Sequence, residues 1–66
     1  MEINEIDYIC TNIDKTKLGG FLDALVEAWL SADLPNKVIL QWAMSRIITK
    51  YPDAFKIEQG EEKAAS

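Results

Sequence analysis

The stretch LGGFLDALVEAWLSADLPNKVILQWAMSRIITKY, residues 18–51, decides the fold class. Its apolar residues recur at three- and four-residue intervals, first as Leu18-Leu22-Leu25-Trp29 and then as Leu40-Ala43-Met44-Ile47-Ile48-Tyr51, the period of a helix rather than a strand. Between the two rows, Ser31-Ala32-Asp33-Leu34-Pro35-Asn36 closes one helix and opens another. Pro35 has no amide to offer a helix interior but fits a first turn, and Asp33 is placed to cap it. Two helices, approximately 17–32 and 35–51, are therefore predicted with a tight corner between them. Pro52 ends the second by disfavouring the α conformation at Tyr51, and Lys50 suits the negative end of the helix dipole.

Both helices are apolar over more surface than one face requires. In the first, Leu18, Phe21, Leu22, Leu25, Val26, Trp29 and Leu30 spread with Ala24, Ala28 and Ala32 around well over half the wheel, and only Asp23, Glu27 and Ser31 form a polar stripe. In the second, Val38 and Trp42 lie opposite the main row, so a single buried face cannot take both sets. The surplus predicts association, in the first instance a homodimer through helices two and three. Its expected interface residues are Phe21, Leu25, Trp29, Val38 and Trp42. Trp29 also continues the main row and is expected in the core.

Upstream, Ile3, Ile6, Ile9 or Cys10, and Ile13 recur every three or four residues among polar ones, which favours a helix over 4–12 capped by Asn4. The β-branched content would also suit a strand, but nothing later in the chain offers that strand a partner. Asp14 and Thr16 can accept hydrogen bonds from the first amides of helix two. Gly19 and Gly20 cost about 1 kcal/mol each inside a helix. They either delay its start to Phe21 or admit a close neighbour. After Pro52, Phe55 and Ile57 are expected to fold back, and residues 58–66 are expected to be a flexible acidic tail. The fold expected is thus all-α: one three-helix domain over 1–57, with a helix 2–helix 3 hairpin that dimerises into a bundle.

The chain has 66 residues, a size at which an intramolecular core is marginal and a partner's surface is useful. It has no histidine and one cysteine, so the commonest general base is missing and neither a disulfide nor a cysteine zinc site can be built within it. Leu18-Gly19-Gly20-Phe21 lacks the Lys-Ser/Thr of a phosphate loop, and Ser31, Ser45 and Thr49 have no base to activate them. No catalytic, metal or cofactor residue is expected. The net charge of −4 disfavours nucleic acid. The lone thiol fits a reducing cytoplasm, and the start of the chain has neither the basic nor the apolar region of a leader. No membrane span is expected, because Asp23, Glu27, Asp33 and Lys37 interrupt the longest apolar stretch.

These features favour a non-enzymatic protein–protein interaction module, a small regulator, adaptor or inhibitor of bacterial or phage type, with another protein as target. Asp23 and Glu27, one turn apart, form an acidic stripe that could meet a basic partner, although such stripes are commonly solvated surface. The alternative is a helix-turn-helix regulator with 35–51 as recognition helix, using Asn36, Lys37, Gln41, Arg46 and Lys50. Those side chains are distributed around the helix instead of along one face. An acidic DNA mimic would need more carboxylates than Asp23, Glu27 and Asp33 supply.

Overall fold

The isoleucine spacing at the start of the chain resolves as helix α1, Ile3–Asn12, in a computed structural model that describes residues 1–57. Ile6 and Cys10, one turn apart, are fully buried on its inner face, while Glu2, Glu5 and Thr11 face outward. Asn4 does not cap this helix. Glu2 occupies the cap position, and its amide donates to the Glu5 carboxylate at 2.7 Å, so the helix begins early enough to lay Ile3 against the core. There is no strand among the described residues.

The polar link behaves differently from the expected start of helix two. Asp14 accepts from the Thr16 amide and hydroxyl, at 3.1 and 2.6 Å, and so caps a short 3-10 turn, Lys15–Lys17. Helix α2, Gly20–Ser31, starts only after Gly19, three residues later than the pattern suggested. Both glycines have ordinary negative φ, and a Cβ added at either would meet nothing within 4 Å. They delay the helix and serve no close approach. Helix α3, Leu34–Lys50, follows across the corner Ala32-Asp33, with the Asp33 carboxylate accepting from the Asn36 amide at 3.1 Å. Tyr51 leaves the helix at φ −121°, ψ 63°, ahead of Pro52.

Leu22, Val26 and Trp29 from α2, Met44 and Ile48 from α3, and Ile6, Cys10 and Ile13 from the first segment form one core, which Phe55 closes from beyond α3. Phe55 and Ile57 do fold back, anchored by amides of Ala54 and Phe55 that donate to the Tyr51 carbonyl. The hairpin of α2 and α3 is not self-sufficient: α1 packs against each of them more extensively than they pack against one another. α1 therefore completes the bundle within a single chain. The expected tail, 58–66, lies outside the described residues.

Candidate functional site

Helix α3 presents two unlike sides. Lys37, Leu40, Met44, Ile47 and Ile48 turn toward α1 and α2, whereas Leu34, Val38 and Trp42 follow one another at four-residue steps along the outside. Leu34 is 63% exposed, Val38 56%, Ile39 74% and Trp42 71%. Four large apolar side chains within nine residues are thus left in water, at the cost of ordering solvent around them.

The row continues into charge. Arg46, one turn beyond Trp42, holds its guanidinium carbon 5.3 Å from the Trp42 ring centroid, and Lys50 lies 5.6 Å from the Tyr51 ring. An open groove runs beside them, lined by Trp42, Ser45, Arg46, Ile47, Thr49 and Lys50. Three of the seven cationic residues and none of the eleven acidic ones fall within α3, so this helix is basic on an acidic chain. Arg46 and Lys50 make no ion pair among the described residues.

The expected interface residues separate into three groups. Val38 and Trp42 are exposed together on α3. Phe21 is 62% exposed but belongs to α2, and Leu25 is half-buried against the core. Trp29 is not surface at all: it is fully buried, so its place is within the chain and it cannot serve as an exposed contact. Leu34, Ile39 and Arg46 extend the surface beyond what the pattern indicated. The four-residue row from Leu34 to Arg46 was a signal that could have found two of them.

The acidic stripe is partly occupied. Glu27 pairs with Lys15 of the 3-10 turn, which holds the Lys15 ammonium above its usual pKa, and Asp23 is half-buried. Among the side chains proposed to read nucleic acid, Lys37 is bound to Asp7 at 2.7 Å, Gln41 donates to the Met1 carbonyl at 2.9 Å, and Asn36 donates to its own cap residue Asp33 at 2.8 Å. Only Arg46 and Lys50 of that set face out uncommitted to hydrogen bonds, and the most exposed large side chains in the first turns of α3, where a recognition helix meets bases, are Leu34, Val38 and Ile39.

A polar cluster unannounced by the sequence supports this arrangement from beneath. The Asp7 carboxylate of α1 accepts from Trp29 Nε1 of α2 at 2.8 Å and from Lys37 Nζ of α3 at 2.7 Å, and Lys37 lies 5.4 Å from the Trp29 ring centroid. One carboxylate oxygen joins all three helices. The hydrogen bonds from Lys37 and then Trp29 hold the Asp7 carboxyl below its ordinary range. Cys10, nearby in the core, has its thiol pushed up to about 11 by burial, reinforced by the Asp7 charge, which disfavours the thiolate at neutral pH. No group of three potential metal ligands converges among the described residues, and no helix there is long and apolar enough to cross a membrane. Comparison with family models, curated proteins and solved structures finds no match.

Proposed function

We propose that this protein is a non-enzymatic protein–protein interaction module, a small regulator, adaptor or inhibitor that engages a protein target through the outer side of α3. The observation that carries the reading is the exposed row Leu34, Val38, Ile39 and Trp42. Tryptophan and arginine are among the side chains most enriched where binding energy concentrates, and here Arg46 already lies over the exposed Trp42 ring. A rigid helix holding anchors in place loses little conformational freedom on docking. The lack of histidine in the sequence and the burial of the one cysteine make binding the simpler reading of the described residues. A reducing cytoplasm suits that free thiol.

The test is site-specific photo-crosslinking in an extract of the producing cell. A photoreactive phenylalanine analogue at position 42 should give adducts of defined mass, while the same group at Thr11, exposed on α1, should give none. Equal labelling from both positions, or none from position 42, would remove the α3 surface from consideration.

A further inference from the structure

We infer that the first occupant of the outer side of α3 is a second copy of the same chain, docked with its own α3 antiparallel about a twofold axis near residue 40. This inference rests on the reading of α3 as a docking surface and specifies what covers it. In such a pair residue k lies opposite residue 80 minus k, so Val38 of each copy meets Trp42 of the other, and both lie at the centre of the exposed side. The contact is self-complementary, a broad indole against a short branched side chain, made twice. Ile39 sits on the rim beside its own symmetry mate, displaced along the helix by about 3 Å.

Charge selects the antiparallel orientation, and the exposed apolar side chains set the size of the contact. The four exposed apolar side chains offer on the order of 500 Å² per copy, against roughly 800 Å² for a standard interface. The aliphatic stem of Arg46 and the methyl group of Thr49, both exposed on the same side, add to it. A parallel pair would set each Arg46 beside its mate on a helix that carries no acidic residue. In the antiparallel pair the two Arg46 residues are about 18 Å apart along the axis, beyond the screening length of about 8 Å at physiological salt. The helix dipoles then run in opposition, which is also favourable. Arg46 covers one side of the Trp42 ring, leaving the other for the partner's Val38.

Molar mass across dilution, with cysteine cross-linking, tests the inference on the full chain. The expected mass at high concentration is twice the 7.5 kDa of one chain. Trp42→Ala and, separately, Val38→Lys should give monomers with unchanged helical circular dichroism. A short bismaleimide should join Ile39→Cys chains to one another but not Arg46→Cys chains, and Cys10 should stay unreactive because it is buried. A monomer at every concentration overturns the inference, as does a dimer indifferent to both substitutions or one cross-linked through position 46 but not 39. The docking reading is judged separately: a monomer that still forms adducts with a different protein from position 42 keeps that reading and sinks only the self-pairing, whereas a monomer that forms none from position 42 sinks both.

Discussion

Replacing Asp7 by Ala removes the one acceptor shared by three helices, and the cost follows from what it leaves behind. Trp29 is fully buried, so its indole N–H, bonded to Asp7 at 2.8 Å, has no water to turn to. An orphaned buried donor costs about 1–3 kcal/mol. The Lys37 pair adds less, because the Asp7 side chain is 39% exposed and solvent screens it; a few tenths to about 1 kcal/mol is appropriate. The expected total is about 2 kcal/mol, a large share of the about 3–10 kcal/mol that roughly 0.05–0.15 kcal/mol per residue implies for a chain of 66 residues. The melting temperature should fall by about 10 °C. Asp7→Asn keeps an oxygen for the indole and loses only the charge, so about 0.5–1 kcal/mol is expected. Because the folded carboxyl titrates below its unfolded value near 3.8, its contribution is complete above that value and is lost as the pH falls through the lower folded pKa. Thermal melts of wild type and Asp7→Asn, followed by far-ultraviolet circular dichroism from pH 7 down to about 2, should therefore converge at the acid end. Asp14 also titrates low, but it is present in both proteins and cancels in the difference. An Asn variant as damaged as the Ala variant, or an Ala variant within about 0.5 kcal/mol of wild type, would refute the role given to the indole N–H.

Other outcomes are equally accessible. Met44→Ala, at a fully buried site, should cost about 2–5 kcal/mol in urea unfolding, whereas Trp42→Ala should change monomer stability by less than about 0.5 kcal/mol. Cys10 should react with a disulfide reagent at pH 8 only as fast as the chain opens, and promptly in denaturant, because its thiol titrates near 11 when folded. Gly20→Ala should raise the unfolding free energy by about 0.5–1 kcal/mol, since the site is helical, has negative φ and leaves open space where the methyl would go.

Much of the fold was legible in short-range patterns because those patterns are themselves local physics. Asp33 capping ahead of Pro35 and the stop at Tyr51-Pro52 depend on amides and ring closure within a few residues, and both occur where the chain implies them. Boundaries moved where two local preferences competed. Asp14 was a competent cap, yet the amide it accepts belongs to a 3-10 turn, and α2 begins only at Gly20, after the extended Gly19. The α3 surface was half legible: Val38 and Trp42 stood off the main row, but whether anything inside the chain covered them depended on α1, whose helical character was itself unsettled.

The sequence by itself determined three amphipathic segments, the corner between the second and third, and a surplus of apolar surface, since periodicity and capping act within one or two turns. Tertiary structure decided how that surplus was divided. By packing against both other helices, α1 covers Trp29, whereas Trp42, off the main row of its own helix, is left in water. It also brings Asp7, Trp29 and Lys37 to one point from positions 22 and 30 residues apart along the chain. No periodicity encodes that meeting. It exists because the buried indole needs an acceptor, and only the packed bundle places one within reach.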